Sequence, residues 1–205
     1  MSNRFRGNLY LLVLPTLDWN GVEDVSGFCF NNKGMVEIDM PSSGSIKMCR
    51  QAFYGCSSVQ RIHRLDLSGA VNLNDIFNGC SSLKVIPELN TSKCESFIGF
   101  LNGCNTLERV EGIDFCSAQS EINLGQNLYT KLNALTHLRV NGTISQNVIL
   151  YTDNLTEESV VSVMNALITN PSPQLTITLT KVLANKISEA TKKIASDKRW
   201  VLMSI

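Results

Sequence analysis

Phe53-Tyr-Gly-Cys-Ser-Ser-Val59, Phe77-Asn-Gly-Cys-Ser-Ser-Leu83 and Leu101-Asn-Gly-Cys-Asn-Thr-Leu107 align without a gap. Gly55, Gly79 and Gly103 recur every 24 residues, as do Cys56, Cys80 and Cys104, and Ile62, Ile86 and Val110. Leu65, Leu89 and Ile113 keep the same register. Working outward, Met35 and Ile38 stand one period before Val59 and Ile62, which predicts a degenerate first coil over about 22–45. Leu135, Leu138 and Val140 resume the pattern after a slip of four residues. A fixed period of this length marks a unit that buries its apolar side only against its neighbours.

Each coil can be read from its apolar positions. Leu73, Ile76 and Phe77 are spaced i, i+3, i+4, as are Phe97, Phe100 and Leu101, which predicts a short helical segment with one apolar face. Gly79 and Gly103 then stand where a left-handed residue would end that segment. Leu83 and Ile86 follow on a short extended stretch with inward side chains. The fold class expected is α/β, a solenoid of period 24 within the roughly 20–29-residue range of leucine-rich repeats. Its predicted organisation is an amino-terminal cap and first coil over 1–45, the solenoid over 46–145, and a carboxy-terminal α/β cap over 146–205.

The two ends differ in texture. Leu9–Leu14 is a six-residue apolar run ahead of Pro15, shorter than a signal-peptide core and without a small-residue cleavage site after it. It is predicted to form an opening strand or cap burying Leu9, Leu11 and Val13. At the other end Thr156 is expected to cap a helix through Val160, Val163, Met164 and Leu167. Leu175-Thr-Ile-Thr-Leu179 alternates as a strand, a second helix is expected over 181–197 with Ile187, Ala190, Ile194 and Ala195 inward, and Trp200-Val-Leu202 as a last strand. This β-α-β-α-β tail is expected to continue the solenoid's sheet and close its end.

Composition narrows the function. The chain has 205 residues, 18 basic against 18 acidic and a net charge of zero, so it has no electrostatic pull toward nucleic acid or anionic lipid. No run is long and apolar enough for a membrane helix. Seven cysteines contain no Cys-x-x-Cys pair, and three of them recur at the repeat period, as buried rungs would. With His63 and His137 the only histidines and no nucleophile elbow, phosphate loop or zinc motif, neither a catalytic group nor a cofactor nor a metal site is expected. An enzyme would need a group outside the repeat register, for which Cys94, Cys116 and Asp114 are the loose candidates. Glu157 and Glu158 read as favourable charges in a helix's first turn.

What remains is the outward side of the repeat strands. Arg61, His63 and Arg64, then Lys84 and Glu88, then Glu108, Arg109 and Glu111, then His137 and Arg139 fall between the inward rungs. These ten are the candidate partner-facing residues. Their mixed charge and few aromatics suit a polar protein partner rather than a stacked sugar or base. Phe5, Tyr10 and Trp19 offer a second patch near the amino end.

Phe77-Asn-Gly-Cys-Ser-Ser-Leu-Lys-Val-Ile-Pro-Glu-Leu-Asn-Thr-Ser-Lys93 resembles the repeat of BspA-like leucine-rich-repeat proteins. Asn154-Leu-Thr-Glu-Glu-Ser-Val and Ile194-Ala-Ser-Asp-Lys-Arg-Trp200-Val resemble a segment that follows such repeats in phage tail-associated and Bacteroidetes proteins. The resemblance covers about 50–110 and 150–205 and implies a non-enzymatic structural or adhesive protein. Surface members carry a signal or lipid anchor, and the absence of both from this sequence favours a bacteriophage virion component on a tail, fibre or capsid, assembled in the host cytoplasm. Implied partners are other virion or surface proteins, a host surface receptor and further copies of the chain. The alternatives are a bacterial cell-surface adhesin and, outside the family, a cytoplasmic interaction scaffold or an unrecognised enzyme.

Overall fold

The computed structural model describes residues 1–40, 45–125 and 131–205. The part of the expected first coil at 41–44 lies outside the described residues. The architecture is mixed α/β with small parallel sheets. The strands are β1 (Glu37–Met40), β2 (Arg61–Leu65), β3 (Val85–Ile86), β4 (Arg109–Asp114), β5 (Ile122–Leu124), β6 (His137–Asn141), β7 (Val148–Leu150), β8 (Thr176–Leu179) and β9 (Val201–Ser204). The helices are α1 (Glu157–Ala166), α2 (Lys181–Lys186) and α3 (Glu189–Asp197).

Successive passes of the chain meet along two lines of parallel pairing. On the first, β1 pairs β2 with Ile38 opposite Ile62, and β3, β4 and β6 form a sheet with Ile86 opposite Val110 and Val110 opposite Leu138. The second begins as single bridges, Asp24 to Met48 to Asn72 to Ser96, each 24 residues on. The Gln119 amide donates to the Glu95 carbonyl and carries this line toward β5, after which β5, β7, β8 and β9 make a four-stranded parallel sheet. The inward rungs, from Ile38 and Ile62 to Leu138, join Phe53, Phe77 and Phe100 in one apolar core.

Between the two lines, the apolar i, i+3, i+4 stretches are strings of turns rather than the expected helical segments. The amides of Ala52, Tyr54 and Cys56 donate three residues back within their own pass. Those of Cys49, Gln51, Phe53 and Gly55 donate to the next pass, at Asn72, Asn74, Ile76 and Asn78. An α-helix would consume every amide internally; here alternate amides bind neighbouring passes together. Sharp turning needs left-handed residues, and Gly79 and Gly103 supply them with φ of +78° and +72°. A Cβ on Gly79 would lie 3.3 Å from the Gly55 Cα, so consecutive passes also meet too closely for a side chain.

The amino terminus already belongs to this stacking. The amides of Asn3, Phe5 and Gly7 donate to Ser26, Phe28 and Phe30, in the same offset that links later passes. The expected opening strand over Leu9–Leu14 does not form. Leu9 and Val13 are about half exposed, and Trp19 is buried in their stead. Residues 1–7 already cover the first turn string, which leaves the apolar run on the rim. Phe5 packs edge-on against Phe28, as does Trp19, so only Tyr10 of the proposed aromatic patch stands free in solvent.

The tail's strands do not add to β6, where a continued sheet would place them. They extend the second line, and α1 lies against the open edge of β6 instead. Ser159 and Ser162, one helical turn apart, accept the Leu138 and Val140 amides at 3.0 Å each. Hydroxyls thereby satisfy donors that an open strand edge would leave to another chain. The helix expected over 181–197 is two, because Ser188 starts α3 as its cap, accepting from the Thr191 amide. The break turns Ala190 outward and puts Thr191 in the interior.

Candidate interaction face

Alternation along the strands builds the face. In β2, Ile62 points into the core and Arg61 and His63 outward by alternation, while a shift of register that sets Asp39 opposite Arg64 turns Arg64 outward as well. Ile86 is buried between exposed Lys84, Val85 and Glu88, Val110 between Glu108, Arg109 and Glu111, and Leu138 between His137 and Arg139. The ten candidate residues therefore occupy consecutive rows of one surface. Arg109, Glu111 and His137 are half-buried and the other seven exposed.

Two carboxylates on β1, absent from the candidate set, complete one end. Arg64 donates through Nε and Nη2 to both oxygens of Asp39 at 2.6 and 2.7 Å, a forked pair that holds the Asp39 carboxyl below its ordinary range and raises the guanidinium. His63 Nε2 lies 2.9 Å from Glu37 Oε2, with the Arg61 guanidinium 3.7 Å from the same oxygen. Their signal was in the sequence, since Glu37 stands one period before Arg61.

At the other end, Arg109 Nε donates to Glu111 Oε1 at 2.6 Å along one strand, which lowers the Glu111 carboxyl. A longer bridge crosses β4. Glu88 accepts from Arg139 Nη2 at 2.7 Å and from Asn141 Nδ2 at 3.0 Å. It passes over Gly112, where an added Cβ would come within 2.9 Å of both Glu88 Cγ and Asn141 Nδ2. Gly112 thus leaves the gap that lets a carboxylate beside β3 reach β6. Lys84 and Glu108 approach to 3.8 Å. His137 Nδ1 sits 2.8 Å from Thr136 Oγ1. Exposed pairs of this kind each contribute about 0–1 kcal/mol, so their arrangement sets what the surface presents more than how stable the protein is.

The repeated cysteines play no part in this surface. Cys56, Cys80 and Cys104 donate through sulfur to the carbonyls of Cys29, Phe53 and Phe77 at 3.1, 3.2 and 3.2 Å, tying each pass to the one before. Burial pushes the Cys56 and Cys104 thiols up to about 12, and Cys80 well above its ordinary value. A thiol so placed stays protonated, which removes its nucleophilicity. Of the looser candidates, Cys94 is buried and raised to about 11. Cys116 is exposed and also raised, and its amide donates to Asp114 at 2.8 Å. All seven cysteines are unbridged. Among the described residues no three His, Cys, Asp or Glu side chains gather as a metal site would, and no helix is long and apolar enough to cross a membrane. Compared with known families, curated proteins and solved structures, the chain matches no family model, no curated protein and no solved structure.

Proposed function

We propose that the chain is a leucine-rich-repeat solenoid acting without catalysis, a structural or adhesive component that presents its outward strand face to a protein partner. The observation that carries this reading is the charge lattice. Residues from five passes, Glu37 to Arg139, line one surface held in fixed rows by the core beneath them. A surface whose charges already pair with one another selects a partner by pattern, since each new contact must replace an existing one. The virion assignment, on a phage tail, fibre or capsid, rests on the resemblance of the repeat and the tail to phage-associated proteins.

Mass spectrometry of density-purified phage particles beside a washed cell envelope from the source culture tests it. Peptides at fixed stoichiometry in particles are the expected result. Peptides confined to the envelope would replace the virion component with a surface adhesin. Absence from both fractions would leave a cytoplasmic scaffold and remove the virion assignment.

A further inference from the structure

The first line of pairing has one gap. No backbone hydrogen bond joins β2 to β3 among the described residues, although β1–β2 and β3–β4 are paired. The same two passes stay bonded elsewhere, by Phe53 to Ile76 at 3.0 Å and Gly55 to Asn78 at 2.7 Å. The gap is therefore confined to the outward face. Pro87 contributes to it: it follows Ile86 directly, brings no amide hydrogen where one could face β2, and ends β3 after two residues.

Over the gap lies a hollow of about 430 Å³. Its floor is apolar, formed by Ile62, Val85 and Pro87. Val85 is 37% exposed, and Ile62 is 9% exposed where its neighbours Ile38 and Ile86 are 0%. Its rim carries a cation on each wall, Arg61 beside His63 on one and Lys84 on the other. No carboxylate lines it: Glu37 on β1 approaches Arg61 and His63 from outside, Glu108 beside β4 approaches Lys84, and Glu88 is drawn away toward Arg139. An apolar floor between cationic walls, with no acid lining it, complements an apolar side chain flanked by carboxylates.

We propose that the β2–β3 gap docks an acidic, aliphatic segment of a protein partner, with an apolar side chain seated on Val85 and Pro87 and carboxylates on Arg61 and Lys84. This rests on the reading of the face as a docking surface and names the chemistry of its occupant. The floor supplies affinity through burial, whereas the exposed cations supply selection and salt dependence. Docking at Arg61 loosens its approach to Glu37, so the segment displaces an existing pair rather than meeting a bare charge.

The test uses the full chain and a labelled, end-blocked peptide, Gly-Glu-Asp-Leu-Leu-Glu-Asp-Gly. Two control peptides replace either its acids by lysine or its leucines by serine. Fluorescence anisotropy should show saturable binding of the acidic leucine peptide, weakened by added salt. Each control should bind roughly tenfold more weakly or worse. Arg61→Glu combined with Lys84→Glu should lower affinity at least about tenfold, and Val85→Ser should lower it several-fold. All three side chains are exposed, so circular dichroism should stay unchanged and the melting temperature should fall only by the small amount that two reversed surface pairs allow. No binding by the native chain, equal binding of the lysine peptide, or indifference to the double reversal would overturn the proposal. Arg139→Glu separates the two readings. If it removes the protein from particles while the gap variants alter neither peptide binding nor particle content, the docking face stands and this occupant falls. If no reversal on the face changes particle content, the docking face falls as well.

Discussion

Phe77 shows at the residue scale what a repeat demands of one side chain. It is fully buried, with ring centroids 6.1 Å from Phe53 and 5.6 Å from Phe100, so it is packed by the passes before and after its own. Phe77→Ala should cost about 3–5 kcal/mol, read from denaturant unfolding, because neither neighbour can move into the space without leaving its own pass. An unchanged midpoint would remove Phe77 from the core. Asn32 shows the opposite case. It occupies the column of Cys56, Cys80 and Cys104 one period earlier, is fully buried, and neither polar atom of its side chain has a protein partner. A buried polar group left unpaired costs about 1–3 kcal/mol, whereas the thiols of that column each reach a carbonyl. Asn32→Cys should therefore raise stability by about 1 kcal/mol or more. A loss of stability on that replacement would show that the amide is satisfied and that the column tolerates an exception.

Element boundaries depend on contacts that one pass of sequence does not contain. The 24-residue spacing was legible because glycine, cysteine and the aliphatic rungs repeat in type. The outward positions of Arg61, His63, Arg109, Glu111, His137 and Arg139 were legible because alternation follows from the strand itself, whereas Arg64, with the parity of the inward Ile62, faces out where the pairing with β1 shifts register. The turn strings were not legible, since i, i+3, i+4 spacing also describes a helix, and only the neighbouring pass decides where alternate amides go. The gap beside Pro87 was hidden for the same reason. Glu157 reads in sequence as a first-turn charge of α1, yet its Oε1 accepts from the Ser188 amide at 2.9 Å and Thr191 Oγ1 at 2.6 Å, at the start of α3. These hydrogen bonds lower its carboxyl from 4.5 to about 2. A depressed folded-state value means that the link is fully present above about pH 4.5 and is lost as pH falls toward about 2. Glu157→Gln should then melt lower than the native chain at neutral pH, and the two should converge near pH 2. An equal difference at both ends of the range would assign the effect to shape rather than to charge.

For the whole molecule, nearest-neighbour stacking implies that a complete pass is removable and a fraction of one is not. Excision of 72–95 would join Val71 to Ser96 and bring Ser96 to the place that Asn72 holds opposite Met48. It would also set β4 beside β2, with Val110 taking the position of Ile86 and the turn glycine Gly103 that of Gly79. Every rung keeps its direction, Pro87 leaves with the excised pass, and the interruption between β2 and its neighbour leaves with it. The shortened chain should fold cooperatively, with an unfolding enthalpy lower by roughly 17 kcal/mol in proportion to the residues removed. It should also lose the binding of the acidic leucine peptide. Removing 73–95 instead leaves one residue too many in the joined pass. The extra residue falls at the entry to a turn string, where it sets the amides that should bond the neighbouring pass out of step with their carbonyls, so this chain should melt lower or aggregate. Calorimetry of the pair decides the matter. Equal behaviour of the two excisions would mean that the period is a feature of the sequence alone and that contacts beyond adjacent passes hold the fold.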